Sequence, residues 1–592
     1  MKKRFLLPAL VLGAVLLGGG LLYRFAPQLF VSSENHAKFE QLLNEFFKTE
    51  ISGSTLSMHY TVTDPKSYGI TGYSVSFGDA SADGRAQELS YLKDTKKSLK
   101  AFSYQTLSKS DRFTYDILLD SLDSAIALAD YELYGEPFTS SNGVHSQLPI
   151  LLAEYPFYTL SDVEDYLALL EQVDVYFSQL LDFEAEKAAA GYFMSDAQCE
   201  LVLEACEKFL ENPNENVLLL SFESRAAAVE GMTEEKKASY VEKNREMFWN
   251  HVIPAYETVI RRLTGLLGSG RNDWGLCNYA EGAAYYELLV HSDTGTSESV
   301  EELFEKIAKA REEDLTVCAQ VLTEYPSLSY DYELDFSDET EILDALAEAI
   351  CADFPALSDA SYRLNYVEES LQDSLAPAFY ITAPIDDATS NCIYVNPAKN
   401  GSDISYFTTL AHEGFPGHLY QTVMSYSYGL SPVRAILDYP GYTEGWATYV
   451  EMMSYHYAGL DEPLATLLAH NQSATLSLYA SSDIGIHYYG WEMEELSEFW
   501  KNYGITDASV IQNISELILS DPGNYLKYYV GYLKFEELRD EMAQTYGDDF
   551  SLVDFHEAVL AMGPAPFDLL REYFAEYYAP SAASSASASP SF

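Results

Sequence analysis

Between Leu410 and Gln421 the chain reads LAHEGFPGHLYQ. Two imidazoles, His412 and His418, and a carboxylate beside the first, Glu413, are the ingredients of a zinc-hydrolase helix. The imidazoles are neutral nitrogen ligands for a borderline divalent ion, and the carboxylate is a base placed next to it. Such helices usually set their histidines four apart, on one face. Here they are six apart, and at about 100° per residue a straight helix turns the second ring about 120° away from the first. Pro416 changes that expectation. It cannot donate to the His412 carbonyl and its ring crowds it, so a kink or bulge is predicted. Gly417 then allows backbone geometry that other residues adopt only at a cost. The expected bulge absorbs the two extra residues and returns His418 to the side of His412. Chance supplies about 0.03 His-acid-x4-His patterns in a chain of this composition.

A zinc site needs a third protein ligand and a position left open for water. Glu444, in YTEGWATYVE, lies 26 residues after His418. That is room for one helix to end, a loop to turn at Pro432 or Pro440, and a second helix to pack alongside. Glu451 follows two turns later on the same face, either orienting an imidazole N–H or standing as a solvated surface carboxylate. The donor set favours one Zn2+ ion, with Mn or Co also compatible.

These residues also resemble a family. His-Glu-x-x-Pro-Gly-His followed by Gln, then Glu-Gly-Trp-Ala-x-Tyr-x-x-Glu, is similar to a large bacterial family labelled a domain of unknown function and regarded as zincin-like. The resemblance runs over most of Glu34 to Tyr578. It includes GVHSQLP at Gly143 to Pro149, APAFY at Ala376 to Tyr380, Val395-Asn396-Pro397, DIGIH at Asp483 to His487, Gly490-Trp491, Pro522-Gly523 leading to Tyr528, and Phe555-His556. By analogy with helical oligopeptidases and carboxypeptidases it implies His412, His418 and Glu444 as ligands and Glu413 as general base. The two-residue insertion between the histidines departs from those peptidases. The resemblance also offers His487 and Tyr528 as donors to a tetrahedral oxyanion, with Tyr529 competing for the second role. Asp483 either orients His487 or caps a turn. In zincins an edge strand pairs with an extended peptide; that role is expected of Asn391 to Val395, with Tyr380, Val395 and Asn396 touching substrate. His456, His470 and His556 read as structural, and Arg434 and Arg539 as partners of nearby acids rather than of a substrate carboxylate.

The elements that must position these groups read as helices from about Glu34 to Tyr578, including Val163 to Phe183, Val300 to Tyr325 and Glu341 to Phe354. Loops are expected at Thr139 to Pro149, Gly265 to Asn272 and Ser292 to Thr296. Strands are few: Leu56 to Val62, and two short ones around a polar turn within Ala378 to Val395. The predicted fold is mainly α, a two-lobed helical zincin-like metallopeptidase with a small β-sheet beside the active-site cleft. The helical lobe is expected over about 34–360 and the catalytic part over about 361–578. A chain of 592 residues that is 47% hydrophobic can bury such a core. With 91 acidic against 35 basic residues and a formal charge of −56, it repels phosphate backbones, so nucleic-acid partners are excluded. The six cysteines form no CxxC pair and read as buried thiols.

Residues 1–33 read as a signal anchor and linker: Lys2-Lys3-Arg4, then an apolar run over about 5–23 long enough to span a bilayer. This predicts a single-pass protein with its catalytic region outside, or a secreted one if the segment is cleaved. Residues 579–592 are a Ser/Ala/Pro tail expected to be disordered. The leading expectation is an exported zinc peptidase acting on short peptides. The alternatives are a non-catalytic envelope peptide-binding protein and a zinc amidase acting on a non-peptide or peptidoglycan-derived substrate. No Gly-x-Ser-x-Gly elbow, Walker loop or dinucleotide fingerprint is present.

Overall fold

The computed structural model describes residues 34–578, apart from 331, 333, 335, 358–360, 368–371, 373, 374 and 402. The expected anchor over 5–23 and the tail over 579–592 lie outside the described residues. Among those described, no helix is long and apolar enough to cross a membrane.

The fold is mainly helical with one small sheet, and its apolar residues divide between two main cores. One gathers Phe39, Leu43 and Phe47 with Phe113, Ile117 and Leu118, then continues from Leu276 to Tyr578. The other runs from Phe138 to Leu263 and is built on helices Leu160–Leu170, Val173–Ala190, Asp196–Glu211 and Ile253–Thr264. The packing therefore does not divide near 360. The first helices share a core with the residues beyond Leu276, and the separate lobe is an insertion between them.

Local expectations fare unevenly. Val300–Glu324 is one helix, as its periodicity predicts. Val163 to Phe183 breaks at Glu171-Gln172, where the Gln172 amide donates to the carbonyls of Ala168 and Val75. Leu56 to Val62 is not a strand: Thr55–Thr61 is a helix capped by the Ser54 hydroxyl, and it buries Thr55, Met58 and His59 at helical spacing. The second half of the loop expected at Thr139 to Pro149 belongs to helix Val144–Ala153, which contains Pro149.

The sheet has three strands, β1 (Tyr362–Tyr366), β2 (Ala378–Ile381) and β3 (Asn391–Val395), in the order β1-β3-β2. β1 runs parallel to β3, and β2 runs antiparallel to it, with Tyr380 opposite Ile393. The strand expected at the edge, β3, is thus the central one and is buried along its whole length. The edge next to the helix that carries His412 and Glu413 is β2.

Five helices carry the site: α1 (Ile404–Glu413), α2 (His418–Ser427), α3 (Pro440–Ser454), α4 (Glu462–His487) and α5 (Asn524–Tyr546). α3 and α5 cross at glycine. A Cβ on Gly445 would lie 2.5 Å from the Cα of Gly531, and one on Gly531 would lie 2.2 Å from the Gly441 carbonyl oxygen. Two helix backbones approach this closely only without side chains between them.

Candidate metal centre

The histidine segment is neither a straight helix nor a bulged one. α1 ends at Glu413, the chain passes through a cis Phe415–Pro416 peptide, and α2 begins at His418. Gly417 donates to the Ala411 carbonyl at 3.0 Å, and Tyr420 to the Gly414 carbonyl at 3.2 Å, which folds the turn back on the end of α1. A Cβ on Gly417 would stand 1.8 Å from the His412 carbonyl oxygen. Glycine is therefore required there by close approach. The Trp446 indole N–H, from α3, donates to the Pro416 carbonyl at 3.0 Å and holds the turn from the other side.

The outcome is the one the spacing needed, reached by two helices instead of one. The His412 and His418 rings lie 4.8 Å apart at 85°. Glu444 Oε2 sits 3.3 Å from His418 Nε2 and 3.6 Å from His412 Nε2. A tetrahedral zinc ion with bonds of 2.0–2.2 Å spaces its ligand atoms about 3.3 Å apart. The two carboxylate-to-imidazole distances suit such an ion. Ligand atoms of His412, Glu413 and His418 also lie within 4.8 Å of one another, so Glu413 stands beside the centre.

The surrounding contacts orient these groups. Glu451 Oε2 lies 3.0 Å from His412 Nδ1. That contact fixes the ring and leaves Nε2 facing Glu444. The Tyr380 N–H donates to Glu413 Oε2 at 2.9 Å from the outer edge of β2. Burial raises the pKa of Glu413, and the nearby His418 and His412 imidazoles oppose this without cancelling it. Burial acts the same way on Glu444, but there the two imidazoles win and hold it well below the usual carboxylate range. For His412 burial favours the neutral ring, and the Glu444 and Glu451 carboxylates outweigh it. The side chains of His412, His418 and Glu444 are 12%, 14% and 24% exposed, so the centre is largely desolvated while keeping some contact with solvent.

Tyr528 joins the centre. Its ring lies 6.3 Å from that of His412. Burial, then the charges of Glu444 and Glu413, push its pKa well above the usual phenol value, so it remains an O–H donor. Tyr529 points elsewhere and is buried in the core.

Four sequence candidates are placed otherwise. His487 is fully engaged by backbone: Nδ1 accepts from the Leu276 N–H at 3.2 Å, and Nε2 bonds the Ile518 carbonyl at 3.1 Å. It has no proton to offer an oxyanion. Asp483 does not touch it; the carboxylate accepts from the Tyr286 hydroxyl at 2.5 Å and from the Gly523 N–H at 3.0 Å, capping α5. Val395 is buried in the central strand. Asn396 is buried too, and its amide donates to the carbonyls of Gln372 and Leu375. Neither can reach a substrate. Tyr380 stays at the site, but through its backbone; its hydroxyl donates to Asn391 Oδ1.

His470 pairs with Asp314, His456 with Glu462, and His556 bonds Tyr449 and the Asp353 carbonyl. Arg539 pairs with Glu536 and Asp540. Arg434, expected to pair with an acid, is buried and donates to the carbonyls of Met562 and Pro564. Cys199, Cys206, Cys318 and Cys392 are buried free thiols, while Cys277 is half-buried and Cys351 exposed.

Two solved structures share the fold. One is of "the putative lipoprotein from Colwellia psychrerythraea", 19% identical, with a TM-score of 0.79 over 92% of this chain and 99% of that one. The other is of "a putative lipoprotein of unknown function from Shewanella oneidensis", 17% identical, with a TM-score of 0.61 over 90% of this chain and 99% of that one. A search of curated proteins finds no match. The description "Bacterial protein of unknown function (DUF885)" matches residues 65–573, and the chain belongs to that family.

Proposed function

We propose that this protein is a zinc-dependent peptidase of short peptides, held outside the cell by its N-terminal apolar segment. The observation that carries the reading is the approach of His412, His418 and Glu444 to a common point with Glu413 beside it. These three residues would hold one Zn2+ ion. Bound there, the ion supplies Lewis acidity to an attacking water and a scissile carbonyl. Glu413 takes the water's proton on the carboxylate anchored by the Tyr380 N–H, then returns it to the leaving amine. The Tyr528 O–H donates to the carbonyl oxygen as charge develops on it. Glu451 keeps the His412 ring in register, and an extended peptide backbone would pair with the groups of the β2 edge that the bond from Tyr380 to Glu413 leaves free.

The test measures bound zinc and hydrolysis of a peptide library for the wild type, Glu413→Gln and His418→Ala. Glu413→Gln is expected to keep its metal and lose at least about 10²-fold in kcat, and His418→Ala to lose the metal. Unchanged turnover in Glu413→Gln removes the proposed base. Full metallation of His418→Ala removes the ligand set.

A further inference from the structure

A cavity of about 200 Å³ lies where the inserted lobe meets the catalytic part, with Phe138 and Met194 on one wall and Leu276 and His487 on the other. A side chain or a chain end fits that space. Its rings are Tyr134, Tyr192, Tyr279, Tyr285 and Trp274. The tyrosines touch one another, with centroids 4.9 Å apart for Tyr134 and Tyr192, 4.9 Å for Tyr192 and Tyr279, and 4.7 Å for Tyr134 and Tyr285. The charged lining residues are Glu136, Asp273 and Asp521, and no Lys or Arg is among them. Lys187 stands behind Glu136 at 2.5 Å, itself fully buried. Asp521 accepts from the Asn142 amide at 2.8 Å, and Asp273 is exposed at the mouth.

We propose that this cavity receives a cationic group of the peptide substrate, an ammonium or guanidinium, from either the peptide's amino terminus or a basic side chain. Aromatic faces and carboxylates together attract a cation and reject an anion. The place relative to the metal centre fits a subsite. Asp521 and Pro522 line the cavity and lead through Gly523 directly into α5, and Tyr528 follows one turn later. From Asn524 to Tyr528 the helix rises about 6 Å. At roughly 3.3 Å per residue of extended peptide, that rise corresponds to about two residues.

The inference rests on the peptidase reading for its substrate, so its test uses equilibrium binding. Full-length Glu413→Gln protein is titrated with four matched fluorescent peptides: amino terminus free or acetylated, and lysine or norleucine within. At least one cationic peptide is expected to bind about tenfold tighter than the acetylated norleucine peptide. The free-terminus and lysine arms show which source supplies the charge. Asp521→Asn and the surface variant Asp273→Lys should each shrink that ratio. Equal affinity for all four peptides, or a ratio untouched by both variants, overturns the proposal. Failure of the wild type to hydrolyse any peptide would instead strike the peptidase reading and leave this measurement standing.

Discussion

Gly445→Ala puts one methyl group between α3 and α5, and the structure sets its consequence. The added Cβ would lie 2.5 Å from the Cα and carbonyl carbon of Gly531 and 3.0 Å from its oxygen. Carbon atoms rest at about 3.5–4.0 Å, so the helices must separate by roughly 1 Å. What the methyl meets is backbone, and no side chain can swing aside. Overpacking of this kind costs about 1–3 kcal/mol. The local effect is larger in kind, because Glu444 is the preceding residue. Metal–ligand distances hold within about 0.2 Å, so a 1 Å displacement of α3 takes the carboxylate off a common centre with His412 and His418. The expected result is a zinc affinity at least about 10–100-fold weaker, read by competition with a chromophoric chelator, together with a lowered denaturation midpoint. Gly53→Ala is the control, since a methyl there meets nothing within 4 Å. Wild-type zinc affinity in Gly445→Ala would refute the argument that the helix crossing positions the third ligand.

Gly417→Ala should be more severe than Gly445→Ala, because its Cβ would stand 1.8 Å from the His412 carbonyl oxygen; loss of zinc binding in the same chelator assay is the expected outcome. Trp446→Phe leaves the buried Pro416 carbonyl without its indole donor, a loss of about 1–3 kcal/mol in denaturant unfolding. Asp483 gives a pH prediction. Burial raises its pKa from 3.8 to about 7, against the bonds from Tyr286 and Gly523. A folded-state value above the unfolded one means the native protein binds the extra proton, so this group's contribution to stability falls as pH rises from about 4 to 7 and is flat outside that window. Asp483→Asn lacks the titration, so its stability relative to wild type should increase between pH 5 and pH 8 in denaturant melts. A constant difference would mean that Asp483 is ionised throughout.

Much of the fold was legible because helical periodicity survives in long amphipathic segments. Val300–Glu324 could hardly be read otherwise, with Val300, Leu303 and Ile307 facing the core. The two strands around the polar turn were legible from β-branched and aromatic content. Their order in the sheet was not, because β1 comes from outside the apolar run, at Tyr362–Tyr366, and pairs parallel with β3. Without that partner, Asn391 to Val395 looks like an edge; with it, the strand is central, and Val395 and Asn396 leave the site. The division into lobes was hidden for a related reason. Phe39 and Phe113 read simply as helix positions, and only the packing shows that they belong to the core of residues far along the chain.

The site was legible where chemistry depends on residue type and obscure where it depends on which atoms are already taken. His412, His418, Glu444 and Glu413 are chemical statements in themselves, and they do converge. His487 matched a family position just as well, yet both its nitrogens are held by main-chain groups from Leu276 and Ile518, segments far apart in sequence. Glu-Gly-Trp carried more than its apparent signal. Its Glu approaches both imidazoles, its Gly lets α3 reach α5, and its Trp holds the carbonyl of the proline that separates the histidines. Three consecutive residues thus point to three different neighbours, as steps of about 100° on a helix require. Such a tripeptide joins the proposed ligand set, the helix crossing and the histidine turn into one unit, so losing any one of the three contacts should lower zinc affinity through the other two.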